Sequence, residues 1–312
     1  MLTTLGLFLF GVLLLFFGAD FLVRGASSLA EHFKIPKSVA GLTLVALGTS
    51  APELFVNVLA AWNGNTSLAL ANVSGSNLAN ICLGFGICGV AGGISIFRQE
   101  FGWDLLVTAG SAMLVTAFFY LRSAGDLPGW ACVPLTLLLV TFCYSLSCRR
   151  NVDDPGEATA DSKIGLSSLF FVAGAVALYF GAELVLQSAI QVASALNVGS
   201  DVVALTAVAL GTSVPDISAT VLAARRKEFG IAVGNILGSN ISNIVLVLNS
   251  TLVVGWTGLK ASPAIRGDYL AVCFVSLFIC AIAFSITRVT KRIGWVLIGG
   301  YVAYLVFRIV TL

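Results

Sequence analysis

A twelve-residue stretch occurs twice in this chain: Leu42-Thr-Leu-Val-Ala-Leu-Gly-Thr-Ser-Ala-Pro-Glu53 and Leu205-Thr-Ala-Val-Ala-Leu-Gly-Thr-Ser-Val-Pro-Asp216. The copies lie 163 residues apart. The same offset superposes Gly18-Ala-Asp20 on Gly181-Ala-Glu183 and Gly75-Ser-Asn77 on Gly238-Ser-Asn240, with no gap between Gly18 and Asn80. Whatever the chain folds into must therefore be built twice from one unit.

Composition says where that unit sits. Hydrophobic residues make up 58% of the chain and charged residues 10%, and the mean hydropathy is +1.00. A soluble globule of this size needs more polar surface, so the chain reads as an all-α integral membrane protein. Windows of about twenty apolar residues predict ten spans: 5–23, 38–62, 67–91, 103–120, 128–147, 165–186, 201–224, 231–256, 269–286 and 293–309. Trp62, Trp103, Trp130, Trp256 and Trp295 all fall at predicted span ends, as an interfacial belt requires. The first run contains Asp20 and lacks both a basic leader and an A-x-A site, so it is expected to stay as a helix rather than be cleaved as a signal peptide.

Basic residues set the orientation. With the loop after the first span taken as cytoplasmic, 13 Lys and Arg lie in loops on that side and 4 on the other, so both termini are expected outside. Five spans per half is an odd number, and the second half must then enter the membrane from the opposite face. The expectation is two inverted five-helix repeats, 1–147 and 165–312, joined by a short cytoplasmic linker at 148–164. The location expected is the cytoplasmic membrane of a prokaryote. Net charge is +2 with no basic cluster, so nothing points to nucleic acid, and no obligatory protein partner is evident. The seven cysteines form no CxxC and read as small buried hydrophobes. His32 is the only histidine, which excludes a histidine metal site and a Ser-His triad. No cofactor is implied.

Glu53 and Asp216 fall inside apolar runs, where a charge costs roughly 2.5–3.5 kcal/mol on insertion scales. Pro52 and Pro215 each remove a helix donor, so the backbone around Gly48 and Gly211 is expected to bend and free carbonyl oxygens. Carboxylate, hydroxyl and loose carbonyl are the ligands of a hard cation. Spans 3 and 8 add Asn72, Ser76 and Asn80, and Asn235, Ser239 and Asn243, each trio spaced by four and so on one helix face. Ser76, Asn80, Ser239 and Asn243 read as ligands; Asn72 and Asn235 fit ligation or helix-to-helix bonding equally. Gly75 and Gly238 read as close-packing positions. Asp20 and Glu183 lack a hydroxyl cluster, and packing or gating suits them as well as ligation.

The paired G-T-S-x-P-[ED] segments, each followed by G-S-N-x-x-N, resemble the two alpha-repeats of sodium/calcium exchangers of the calcium/cation antiporter superfamily. The resemblance covers essentially the whole chain. It implies an antiporter, not an enzyme, that exports calcium by admitting sodium. Carried over, it makes Glu53, Asp216 and the carbonyls of Thr49 and Thr212 calcium ligands. It assigns sodium to the carbonyls of Ala46 and Ala209 and the hydroxyls of Ser50, Ser213, Ser76 and Ser239, with Asn80 and Asn243 at the polar positions of spans 3 and 8. It also implies that spans 1 and 6 slide to expose the site alternately. Two departures stand out: Asp216 where Glu is usual, and an amide at Asn243 where many exchangers carry Asp.

Three rivals share some of these features. A calcium/proton antiporter would use the two acids as proton carriers but needs no hydroxyl-rich shell. An intramembrane aspartyl protease needs two carboxylates but not matched hydroxyl and amide stripes. A channel would pass calcium with no counter-ion gradient.

Overall fold

The computed structural model describes residues 2–122, 126–149, 164–195, 200–255 and 258–310, and at Leu2, 192–195 and 200–210 it describes the backbone alone. Nearly all of the linker between the halves, and Trp256, lie outside the described residues.

The first half forms α1 (Leu2–His32), α2 (Lys37–Trp62), α3 (Thr66–Ala91), α4 (Arg98–Leu121) and α5 (Gly129–Cys148). The second forms α6 (Ile164–Ala195), α7 (Ser200–Arg225), α8 (Phe229–Val254), α9 (Pro263–Ser285) and α10 (Lys291–Val310). Among the described residues, nine helices are long and apolar enough to cross a membrane; α7 is outside that count.

Several helices outrun their apolar windows. The window for α1 closes at Val23 because Arg24 is charged, yet the helix continues to His32. Arg24 is neutralised on the helix itself by Asp20, 2.9 Å away at i,i+4. At 1.5 Å per residue such a helix exceeds the ~30 Å hydrocarbon core and must tilt or protrude. Trp62, Trp103, Trp130 and Trp295 sit near helix ends and face outward, as the belt reading required.

Burial sorts the helices into a core and a shell. The most hydropathic stretches of α3 and α8 are 83% and 89% buried, against 22% for α5, α6 and α10. The two central helices are therefore those that carry the Asn-Ser-Asn stripes, which confirms that the polar faces turn inward. Helix α8 meets α2 backbone to backbone: a Cβ on Gly238 would lie 2.5 Å from the Leu42 carbonyl oxygen, and one on Gly234 would lie 2.6 Å from that of Ser38. Gly238 is thus the close-packing position expected. Helices α1 and α6 pack chiefly on each other along a second glycine seam, where a Cβ on Gly174 would stand 2.3 Å from the Leu22 nitrogen.

The offset of 163 recurs in the backbone. A π-helical turn at Asn80–Phe85 in α3 matches one at Asn243–Leu248 in α8. Two short antiparallel ribbons each join a loop of one half to a loop of the other. Ile94–Ser95 pairs with Arg288–Val289, and Asp126–Leu127 with Leu259–Lys260. Helix 4 of each half also carries a buried acid held by an arginine, which directly follows α5 in the first half and lies on α10 in the second. Arg149 grips Asp104 at 2.8 and 3.0 Å, and Arg308 meets Asp268 at 2.9 Å. Cys82, Cys88, Cys132 and Cys280 are buried and unbridged, as expected of small hydrophobes, whereas Cys143 and Cys148 are exposed and Cys273 is half-buried, on helices of the outer shell.

Candidate ion-binding site

The backbone near the acids is not broken as the prolines suggested. Pro52 and Pro215 both lie inside continuous helix. Proline still lacks an N–H, so the carbonyls four residues earlier, at Gly48 and Gly211, lose their α-helical donors. In α2 the departure from α geometry lies a turn upstream, in a π-helical segment at Gly41–Val45. Such segments recur at functional sites.

Glu53 and Asp216 are each 1% exposed, and Ser50, one turn before Glu53, comes within 3.5 Å of the Asp216 carboxylate. Around them the structure gathers Thr49, Ser50, Ser76, Asn80, Ser213, Ser239 and Asn243, all buried, with the buried Ala46 one turn before Ser50. Ala209 lies in α7 among the residues described by backbone alone. All the expected site positions whose side chains are described are buried, except Thr212, which is half-buried.

The two acids are dressed unequally. Asp216 Oδ2 accepts from Asn80 Nδ2 at 2.7 Å, and its Oδ1 accepts from Ser239 Oγ at 2.9 Å and Ser50 Oγ at 3.5 Å. Neither carboxylate oxygen of Glu53 has a hydrogen-bond partner among the described residues. Asn80 Oδ1, Asn240 Oδ1 and Asn243 Oδ1 are likewise buried acceptors without donors. A buried charge left unpaired is costly, and here the unpaired groups are mostly oxygens. That donor set fits a hard cation. No group of three His, Cys, Asp or Glu side chains occurs among the described residues, so a cation held here would draw on two carboxylates and neutral oxygens.

Asn72 and Asn235 resolve toward helix-to-helix bonding. Thr49 Oγ1 approaches Asn235 Oδ1 at 3.3 Å, and Asn235 Nδ2 donates to Thr220 Oγ1 and to the Asp216 carbonyl, both at 2.9 Å. In the mirror arrangement Thr212 Oγ1 donates to Asn72 Oδ1 at 3.1 Å, and Asn72 Nδ2 donates to Asn57 Oδ1 at 3.4 Å. Ser76 Oγ lies 3.0 Å from Thr212 Oγ1. Each relay ties the threonine of one half to the asparagine of the other, so the amides are already engaged.

Sequence reasoning missed Asn57 and Thr220, although both sit four residues past the acids at the same offset. It also missed Asn77, which accepts from Asn243 Nδ2 at 3.1 Å and donates to the Asn240 carbonyl at 3.3 Å. Asp20 and Glu183 are not equivalent in the fold. Asp20 pairs with Arg24 and with Arg226 at the end of α7, whereas Glu183 is exposed and, among the described residues, accepts from Gln187 alone, at 3.0 Å.

Residues 3–147 and again 166–310 match the family described as sodium/calcium exchanger protein. The chain belongs to that family. Its two matched segments are the two halves of the duplication. A protein named CaxA from Alkalimonas amylolytica is 30% identical over 308 residues, covering 95% of each chain. The sodium/calcium exchanger MaX1 of Methanosarcina acetivorans is 30% identical over 284 residues, covering 77% of this exchanger-family chain and 80% of its own. A solved structure of the sodium-calcium exchanger NCX_Mj superposes with a TM-score of 0.83 over 98% of both chains at 24% identity, which shows a shared fold. This family member is accordingly a multi-pass membrane protein.

Proposed function

We propose that the protein is an antiporter that exchanges sodium for calcium across the cytoplasmic membrane, at one cluster centred on Glu53 and Asp216. The observation that carries this reading is the Glu53 carboxylate, buried among oxygens with neither of its own oxygens partnered. Family membership and the exchanger names of the relatives support the choice of ions.

Calcium takes six to eight oxygens at 2.3–2.6 Å. Two bidentate carboxylates, Glu53 and Asp216, with the Thr49 and Thr212 carbonyls would supply about six and balance one divalent charge, and the Asn80 and Asn243 amides would stand among the sodium ligands. Sodium would share these oxygens with the Ala46 and Ala209 carbonyls and the Ser50, Ser76, Ser213 and Ser239 hydroxyls. The two cargoes thus compete. Without a cation, two like charges face each other in a medium of low dielectric, which opposes reorientation and makes exchange obligatory. With three sodium ions per calcium, each cycle would move one net charge, about 2.3 kcal/mol per 100 mV.

The frame we infer is ten spans in two inverted repeats, with both termini outside and α7 as the span not yet counted. Matched π-helical turns, mirrored Thr-Asn relays and one ribbon per pair of loops support it. Alternating access would then exchange the roles of the halves.

Calcium-45 uptake into proteoliposomes tests the function against imposed sodium, potassium and proton gradients. Sodium-driven uptake is expected, and a response to the proton gradient alone would replace sodium with protons as the coupling ion. Glu53→Gln should abolish uptake; undiminished transport would remove Glu53 from the site.

A further inference from the structure

A cavity of about 280 Å³ opens between α1, α3 and α7, beside the ion cluster and separate from its ligands. Phe16, Ile87 and Leu222 represent its apolar wall, and Ser218 and Arg225 are its polar lining. Phe16 is 50% exposed, so the cavity gives onto the surface that a bilayer covers. Its volume lies just below the usual range for ligand pockets, roughly 300–1,000 Å³, which suits a chain better than a ring system.

Arg225 is the informative residue. It ends α7, is exposed, and has no ion pair or side-chain hydrogen bond among the described residues. Its neighbour Arg226 and the nearby Arg24 both engage the single carboxylate of Asp20, and Lys227 follows directly. Asp20 is thus shared by two arginines, and the acid after Lys227, Glu228, is paired with Lys37, so neither is bonded to Arg225. The C-terminal pole of a helix favours a cation, which accounts for Arg225 as a charge but not for the apolar slot beneath it. The lining disfavours a cation, since an arginine faces the cavity and no carboxylate does. Water finds too few partners on these walls. The positive-inside count places this turn at the leaflet that carries anionic lipid.

We propose that the cavity holds an acyl chain of an anionic phospholipid whose phosphate rests on Arg225. The inference rests on the orientation proposed above and not on the transport reading. Native mass spectrometry of the purified protein, equilibrated with equal amounts of dioleoyl phosphatidylglycerol and dioleoyl phosphatidylcholine, separates headgroup from chain because the chains are identical. The protein is expected to retain phosphatidylglycerol about fivefold over phosphatidylcholine, the worth of one basic residue near an anionic surface. Arg225→Gln should bring that ratio to unity and Arg225→Lys should keep it. Val221→Trp, which fills the slot, should lower retention of both lipids, and Ser218→Phe serves if that variant does not elute as a monodisperse species. Equal retention of the two lipids by the unaltered protein would overturn the proposal. So would an unchanged preference in Arg225→Gln, or full retention by a slot-filled variant.

Discussion

Asn80 donates to Asp216 across the two halves at 2.7 Å, whereas Asn243, its counterpart 163 residues on, donates to Asn77 and leaves Glu53 without a donor. The duplication supplies matched positions, and the structure uses them unequally. Asp216 is pre-solvated by protein, so its charge is already stabilised. Glu53 has no such donor, and on the proposed reading a bound cation is what stabilises its charge.

Opposite signs are therefore expected from neutralising the two acids. Glu53→Gln removes a buried charge with no partner and should raise the melting temperature of the calcium-free protein, while abolishing the upward shift that calcium produces. Asp216→Asn forfeits charge-assisted bonds from Asn80 and Ser239 and should lower stability by about 1.5–3 kcal/mol. Thermal unfolding with and without calcium reads both. Equal falls for the two variants would mean that Glu53 is also held by donors.

The relays predict a graded loss. Asn72 links two partners, while Asn235 links Thr49, Thr220 and the Asp216 carbonyl. Leaving a buried polar group unsatisfied costs about 1–3 kcal/mol. Asn235→Leu should therefore destabilise more than Asn72→Leu, and should also weaken apparent calcium affinity because it releases the backbone at Asp216. Paired melting curves and uptake titrations check the order, and equal losses would contradict it.

Much of this was legible in advance, because the repeat is gapless over the segments that matter. Spacing of four on α3 and α8 placed their stripes on one face, and in an apolar chain that face had to turn inward. Hydropathy windows found the nine spans counted among the described residues but misjudged their ends, since Arg24 stops a window and does not stop a helix that carries Asp20 one turn back. The π-helical turns were hidden: Asn-Ile-Cys-Leu-Gly-Phe and Asn-Ile-Val-Leu-Val-Leu carry no local signal for them. Hidden too was which amide serves which acid. That choice depends on side-chain reach between helices from different halves, and positional equivalence cannot express it.

Close approach of α1 and α6 gives a sharp contrast between two glycines. A Cβ on Gly174 would meet the backbone of Leu22, which cannot swing aside as a side chain can, whereas one on Gly110 meets nothing within 4 Å. Gly174→Ala should force the helices apart at a cost of about 1–3 kcal/mol. Gly110→Ala, in the interior of α4, should be neutral or stabilise by up to about 1 kcal/mol. Chemical or thermal denaturation in one detergent compares them, and tolerance of Gly174→Ala would show that the seam can spread.

The ion pair between Asp20 and Arg226 joins α1 of the first half to the end of α7 in the second. Its repeat equivalents are neutral: Gln187 stands for Arg24, and Asn63 for Arg226, opposite Glu183. One face is thus latched by charge and the other is not. If the halves exchange roles during transport, each contact present on only one face biases the resting state. Both side chains are partly exposed, 32% and 13%, so the latch is worth about 0.2–1 kcal/mol, or up to about fivefold in the ratio of the two states. Asp20→Asn should shift the ratio of apparent calcium affinities at the two faces by that factor, measured in right-side-out and inside-out vesicles. Asn63→Arg should add a partner for Glu183 and shift the ratio the other way. Shifts in the same direction would mean that these residues act on packing rather than on the balance between faces.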